Sequence, residues 1–329
     1  MTAAPFLSVC VPTYNRVSYL AQALATLRAQ TYLDFELLVV DNGSTDGTAE
    51  LVGSISDPRL RYHRNPTNLG SRGNWNRCLE LARGEFVAIC HDDDVYDPDF
   101  LRRGVEVLMA HPEVAFVHCA ARVIDGDGGP LRIYRAHRRD TILPSATAFL
   151  RYLARSHDVV MSTVIARRRC YGEERFTEEF LCADFEMWLK LALRGDVAYI
   201  ATPLVSYRSH AESTSLTMDA RRWYRENAEI VRRAVAWARG RVPGLEGREA
   251  EFLRGIRRVW AGRTFREALF AASCGRLDTG TAYLAACREI ADGGAWQAAA
   301  ALAGLLLNPF GVRLLRSVRL VRREVRRVV

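Results

Sequence analysis

Lysine is almost missing from this chain of 329 residues: Lys190 is the only one, and every other basic residue is arginine. That follows base composition and points to no mechanism. No apolar run reaches the ~20 residues that a bilayer-spanning helix needs. The longest, from Ala295 to Leu307, is broken by Gln297 and Gly304, so no spanning helix is expected. No basic segment leads into an apolar one at the start, so no secretory leader is expected. The eight cysteines form no C-x-x-C pair and no regular framework. Cys10, Cys90 and Cys119 sit in apolar, strand-like runs as small buried hydrophobes. A reducing, cytoplasmic setting fits this usage better than a disulfide scaffold. There is no internal repeat and no low-complexity segment. No Ser/His/Asp or Cys/His arrangement suggests a covalent nucleophile.

Apolar content of 49% and charged content of 26% are ordinary for a globular protein. The length allows one large domain with an appendage, or two domains. The net charge of +8 is unevenly placed. From Arg221 to Val329 there are 22 arginines against 10 acids, a balance of +12, which leaves −4 for the first 220 residues. An acidic front with a basic tail implies two functions. The expected division is 1–218 and 219–329.

The front alternates strand-like and helix-like segments. Strands are predicted at Phe6–Val11, Phe35–Val40, Arg59–His63, Phe86–Cys90 and Val114–His118. Helices are predicted at Val17–Ala29, from Asp46, at Asn74–Ala82 and at Pro98–Met109. This order implies an α/β fold with a mostly parallel sheet flanked by helices, in which ligands bind at the carboxyl ends of strands. Further on, Asp125–Pro130 reads as a hairpin tip. Strands are predicted at Thr163–Ala166 and Val197–Ile200, with a helix at Asp184–Arg194. From Ala220 onward the pattern is helical.

The chemistry-bearing residues fall at those strand ends. Asp92-Asp93-Asp94 follows the apolar run 86–90. Three adjacent carboxylates repel one another and cannot all be buried without partners. A hard divalent cation with oxygen ligands, bridging to substrate phosphates, would offset that repulsion; a solvated acidic turn is the alternative. Pro12-Thr13-Tyr14-Asn15-Arg16 offers hydrogen bonds, a stacking face and a cation to a nucleotide. Asp41, opening D-N-G-S-T-D-G-T, can accept the N3–H of a pyrimidine base, while Ser44 and Asp46 read equally as turn and cap residues. The stretch Asn68–Asn76 opens a helix and could present backbone N–H groups, Arg72 and Asn76 to a diphosphate.

The run P-T-Y-N-R, then V-V-D-N-G-S-T-D-G-T, then A-R-G-E-F followed by D-D-D, resembles the family 2 glycosyltransferases with the GT-A fold, over roughly residues 6–215. The resemblance implies that Asp41 reads uracil or thymine and that Thr13 and Tyr14 border base and ribose. It implies that two of Asp92, Asp93 and Asp94 act as a DxD-type element holding Mn²⁺ or Mg²⁺, with Asp94 favoured for the metal. Many relatives read D-x-D-D here, and His91 takes the first position. C-A-D-F-E-M-W-L at 182–189 resembles the E-D-x-x-x-W segment, which makes Asp184 the general base, with Ala183 in place of the usual acid. Y-R-S-H-A-E-S-T-S at 207–215 resembles a stretch whose histidine, here His210, can complete the metal shell. The implied activity is inverting transfer from a UDP- or dTDP-sugar to a glycan, glycolipid or metabolite hydroxyl in cell-surface polysaccharide synthesis. A sugar nucleotidyltransferase would want a Gly-rich basic triphosphate loop near the N-terminus, and none is present. A catalytically silent relative acting as a scaffold stays open.

Residues 310–329 can form a basic amphipathic helix, with Arg313, Arg316, Arg319/Arg323 and Arg327 on one face. Such a helix can lie on the anionic inner face of a membrane, or pack its apolar stripe on protein. Acceptor, membrane-surface or oligomer contacts are the expected uses of 219–329. No nucleic-acid motif accompanies the charge.

Overall fold

The computed structural model describes residues 6–156, 158–210, 219–273, 277–291 and 294–306. Two compact units divide the chain. The first comprises Met1–Gly129, Ile133–Tyr152 and His157–Ser209, and the second Pro130–Arg132, Leu153–Ser156 and His210–Val329.

The first unit begins with the predicted alternation. Strands β1 (Leu7–Thr13), β2 (Phe35–Asp41) and β3 (Leu60–Arg64) are separated by helices α1 (Val17–Arg28) and α2 (Thr48–Gly53). Helix α3 (Gly70–Leu81) leads to β4 (Phe86–Ile89), the two-residue β5 (Val95–Tyr96), α4 (Phe100–Ala110) and β6 (Val114–Ile124). Then come β7 (Pro130–Tyr134), β8 (Thr141–Leu143), α5 (Ser145–Ala154), β9 (Ile165–Arg167), α6 (Arg168–Tyr171), α7 (Ala183–Ala192) and β10 (Asp196–Arg208).

The main sheet runs β3-β2-β1-β4-β9-β6-β10-β5. The pairs β2–β3, β1–β2 and β1–β4 are parallel. Short β9 is antiparallel to both β4 and β6, so the sheet is mixed at its centre. Strands β1 and β2 are buried at every position, as near-continuous apolar runs require when helices cover both faces. The core gathers Val9, Val11, Leu24, Leu37, Val39, Phe86, Leu101 and Val117 around the sheet.

The A-R-G-E-F motif has a packing origin. A Cβ on Gly84 would lie 2.6 Å from the Ser8 amide nitrogen. The Ser8 hydroxyl accepts the N–H groups of Arg83 (3.0 Å) and Gly84 (2.8 Å) and donates to Glu36 (2.6 Å). This knot fixes the start of β4, and so the height at which β4 delivers the aspartates.

Several elements outrun their sequence signals. Helix α3 starts one turn before Asn74, because Asn68 Oδ1 accepts the Gly70 N–H at 2.8 Å. Strand β6 continues past His118 to Ile124, and β10 runs over Asp196–Arg208 rather than Val197–Ile200. The Asp125–Gly129 turn closes as expected, with Gly128 N–H on Asp125 O at 3.1 Å.

The second unit contains helices α8 (Ala220–Ala238), α9 (Glu249–Ser273), α10 (Leu277–Ile290) and α11 (Gly294–Leu306). Asp219 caps α8 by accepting the Arg221 N–H at 3.1 Å. Ile230, Val231, Ala234 and Ala238 are buried along α8, and Trp223 stacks on Trp260 with ring centroids 5.6 Å apart. Among the described residues, no helix is long and apolar enough to cross a membrane. The basic stretch 310–329 lies outside the described residues.

Candidate active site

The two N-terminal loops interlock through side chain to backbone bonds. Asn15 takes a left-handed conformation (φ +51°), which asparagine tolerates better than most residues. Its N–H donates to Ser44 Oγ at 2.9 Å and its Oδ1 accepts the Thr45 N–H at 2.8 Å. Asp46 accepts the Val17 N–H at 2.8 Å and the Thr48 hydroxyl at 2.7 Å. Against the opposing effect of burial, these bonds hold its carboxyl below the usual range. Asn15, Ser44 and Asp46 therefore tie the end of β1 to the end of β2.

Asp41 ends β2 and is fully buried. Its Oδ1 accepts the Ser44 N–H at 2.8 Å. Its Oδ2 accepts the Tyr62 hydroxyl at 2.6 Å, with Arg64 Nε 3.8 Å away. Burial, then the bond and charge of Asp41, push the Tyr62 phenol well up. Behind them lies an amide network. Asn65 Nδ2 donates to Asn42 (3.0 Å) and Asn74 (2.9 Å), Asn42 Nδ2 donates to Asn68 (2.7 Å), and Asn74 Nδ2 donates to Val40 O (2.9 Å). It pins the loop that opens α3 against β2.

On α3, Arg72 donates to Ser71 Oγ at 3.0 Å, and its Nε is buried without a hydrogen-bond partner among the described residues. Asn76 uses both ends of its amide on one backbone position: Nδ2 donates to Phe176 O (2.9 Å) and Oδ1 accepts the Phe176 N–H (2.8 Å). It holds the 176 segment against the helix. Trp75, next to it, stacks on His91 at 6.0 Å and meets Phe176 edge-on at 5.3 Å. Tyr14 is 44% exposed and Thr13 is buried.

The aspartates after β4 are buried. Arg16 reaches Asp92 at 3.3 Å and Asp93 at 2.8 Å. Asp94 Oδ1 accepts the Arg208 N–H at 2.8 Å, while Arg208 Nε donates to Asp93 O at 2.7 Å. Arg208 is itself buried and also donates to Gly126 O and Gln22. Arg16 pairs with two of these carboxylates through its guanidinium, whereas Arg208 meets Asp94 through its backbone N–H and Asp93 at its backbone carbonyl. Burial, then the charge of Asp93, raise the Asp92 carboxyl to about 6 and Asp94 well above the carboxylate range.

The donor set fits a divalent cation. Ligand atoms of His91, Asp93 and Asp94 lie within 4.8 Å of one another. His91 Nε2 and Asp94 Oδ2 are buried without a hydrogen-bond partner among the described residues. A cation between such atoms would offset the shared negative charge. His91, a departure from the expected pattern, thus sits with the carboxylates. Asp92 and His210 are outside that grouping; His210 is buried.

Asp184 lies in the first turn of α7, a helix that packs on β6. Its partly buried carboxyl is pushed up to about 6, mainly by burial, against its own and the Phe185 N–H groups. Glu186 is buried instead and pairs with Lys190 at 3.6 Å. Tyr62 and Asn65 carry no motif-like signal in the sequence, whereas Arg208 lies in the Y-R-S-H stretch.

The uncharacterized protein MT1568 of Mycobacterium tuberculosis is 30% identical over 65% of this chain and 70% of its own length. The GalNAc(5)-diNAcBac-PP-undecaprenol beta-1,3-glucosyltransferase of Campylobacter jejuni is 29% identical over 57% of this chain and 60% of that one. Staphylococcus aureus TarS 1–349, solved with UDP-GlcNAc, shares the fold with a TM-score of 0.62 at 20% identity, over 98% of this chain and 88% of that one. The mannosyltransferase PcManGT of Pyrobaculum calidifontis, solved with GDP-Man and Mn²⁺, shares it with a TM-score of 0.57 at 21% identity, over 98% and 86%. Residues 8–180, more than half the length, match the model described as Glycosyl transferase family 2, and the chain belongs to that family.

Proposed function

We propose that the protein transfers a sugar from a UDP- or dTDP-sugar to an acceptor hydroxyl with inversion at the anomeric carbon. The acceptor is a glycan, a lipid-linked glycan or a metabolite, and the setting is cell-surface polysaccharide synthesis at the cytoplasmic face of the membrane. The lipid-linked acceptor named for the Campylobacter relative supports this choice. The observation that carries the reading is the cluster of His91, Asp93 and Asp94, whose ligand atoms lie within 4.8 Å of one another, in a unit that also holds a carboxyl raised to about 6 at Asp184.

Asp41 accepts the base N–H, Thr13 and Tyr14 border the base and ribose, and Pro12 shapes the strand end. Asn15 and Arg16 order the loop, with Arg16 also neutralising part of the acidic cluster. Arg72 faces the diphosphate, and Asn76 supports that wall. Asp94, with Asp93 and His91, would hold Mn²⁺ or Mg²⁺, and Asp92 would contact the ribose or join them. When bound, the cation supplies charge stabilisation to the departing diphosphate. Asp184 takes the proton from the acceptor hydroxyl as that oxygen attacks the anomeric carbon. The carbon–oxygen bond to the diphosphate breaks on the opposite face, and the nucleotide diphosphate leaves. Positioning and charge stabilisation provide the acceleration, and no covalent intermediate is needed.

The test is nucleotide diphosphate release from a panel of UDP- and dTDP-sugars with Mn²⁺. Release that disappears in both Asp94→Asn and Asp184→Asn, in folded protein, supports the reading. Full release in both variants overturns the site assignment and favours a scaffold role.

A further inference from the structure

We infer that Phe176 is a positioning residue for the proposed transfer: its ring spaces the first turn of α7, which carries Asp184, from the turn that carries the cation cluster. The inference rests on the proposed roles of Asp184 and of His91 with its aspartates.

In-line attack needs the base and the cation held at a fixed separation. The sheet alone does not set it. His91 follows β4, whereas Asp184 is reached through residues 172–182, which form no helix or strand. That segment is nonetheless gripped at Phe176. One amide, that of Asn76 on α3, takes both the Phe176 N–H (2.8 Å) and its carbonyl (2.9 Å). Two residues earlier, Glu174 reaches Lys190 at 3.0 Å and Arg194 at 2.8 Å, at the far end of α7 and just beyond it.

The Phe176 ring, 1% exposed, meets two indoles. Trp75 lies 5.3 Å away at 72° and Trp188 6.3 Å away at 82°. Both contacts are edge-to-face, a favoured aromatic geometry. On the α3 side, Trp75 stacks on His91 at 6.0 Å with the planes 14° apart. On the α7 side, Trp188 follows Asp184 by four residues, which puts the two on one helix face. Helical side chains lean toward the N-terminus, so the Trp188 indole leans back along the turn that holds Asp184. Phe116 of β6 backs Trp188 at 5.7 Å. The rings thus run from His91 through Trp75 and Phe176 to Trp188, from the cation side to the base side. Phe176 is the link that neither helix supplies. Close-packed rings yield little to compression, so they fix the separation that the irregular segment leaves open.

Phe176→Leu keeps an apolar group and both backbone bonds to Asn76, but it breaks the edge-to-face contacts, and α7 loses its stop on the α3 side. A misplacement of about 1 Å at the reacting atoms costs roughly 100-fold in rate. His91, Asp93 and Asp94 stay on their own turn, so cation and nucleotide binding persist. The matched control is Phe35→Leu: Phe35 is 3% exposed and starts β2, at the opposite end of that strand from Asp41. The test measures three quantities in the full chain: urea stability, nucleotide diphosphate release at saturation from the UDP- or dTDP-sugar that wild type turns over fastest, and calorimetric binding of the corresponding nucleotide diphosphate with Mn²⁺. Phe176→Leu should bind within about 2-fold of wild type yet release nucleotide roughly 10- to 100-fold more slowly. Phe35→Leu should lose stability to a similar degree and keep the wild-type rate. Should Phe176→Leu fail to fold, Phe176→Met, closer in volume, is read in the same way. If the Phe176 variant keeps its turnover, or loses binding along with turnover, or if Phe35→Leu slows as much, the inference fails and the proposed transfer stands. If wild type releases no nucleotide from any UDP- or dTDP-sugar, the proposed transfer fails and the inference falls with it.

Discussion

Turnover at saturating donor should fall about 10-fold between pH 8 and pH 5, because Asp184 must be ionised to act as base. Burial pushes its carboxyl up to about 6. The ionised fraction at pH 5 is then roughly one tenth, whereas an aspartate at its ordinary value of 3.8 would remain almost wholly ionised there. The sign is that of a base: activity is full above the folded value and declines one decade per pH unit below it. Asp92 is also raised to about 6, so the limb must be assigned. Donor affinity measured separately across pH reports the acidic cluster. The rate at saturating donor and Mn²⁺ reports Asp184. Stability gives an independent check with the opposite consequence. A carboxyl raised in the folded state binds its proton more tightly there than in the unfolded chain, so it favours folding in acid and disfavours it as pH rises through 6. Asp184→Asn should therefore abolish turnover and yet raise stability at pH 8, by on the order of 1–3 kcal/mol. A saturating rate that is flat from pH 5 to pH 8, or an Asn variant that retains turnover, would refute the assignment.

Asp94→Asn should remove Mn²⁺-dependent donor binding without unfolding the protein, since it replaces a buried carboxyl that has one unpartnered oxygen among the described residues by a neutral group of the same shape; titration with Mn²⁺ and UDP together checks this. Gly84→Ala should destabilise by about 2 kcal/mol or more, because the added Cβ meets backbone at 2.6 Å; urea unfolding measures it. Asn76→Ala removes both hydrogen bonds to the Phe176 backbone. A loss of about 1–3 kcal/mol is expected, with turnover falling because the Trp75–Phe176 wall loosens. A variant as stable as wild type would show that the staple contributes nothing.

The parts of the fold legible in the sequence were those with local signals. Strands β1, β2 and β4 are apolar runs ending in polar motifs, and α1 repeats its leucines at helical spacing, so both type and place could be read. Strand β9 could not be oriented. It is three residues long, and its antiparallel position between β4 and β6 is set by pairing alone. Two-residue β5 is too short for any periodicity. The site divides in the same way. Asp41, Asp94 and Asp184 stand in motif-like stretches, but which residues they pair with is not legible there. Arg208 lies 114 residues from the Asp94 carboxylate that accepts its N–H. Tyr62 reads as one more β-former on an edge strand. Asn76 shows the converse: its place in a donor-like motif was visible, but its bonds to Phe176, 100 residues away, were not. His91 looked like a lost ligand, and only the turn at 91–94 brings its ring to the carboxylates.

The central claim is a metal-assisted site for a nucleotide diphosphate. Thermal unfolding with UDP, dTDP and GDP, each with Mn²⁺ or with EDTA, tests it most directly. A ligand at ~100 times its Kd stabilises the native state by about 2.7 kcal/mol. The account predicts a rise in Tm with UDP or dTDP in Mn²⁺ that vanishes in EDTA and in Asp94→Asn. No rise with any nucleotide in folded protein, or an equal rise in EDTA, would contradict it.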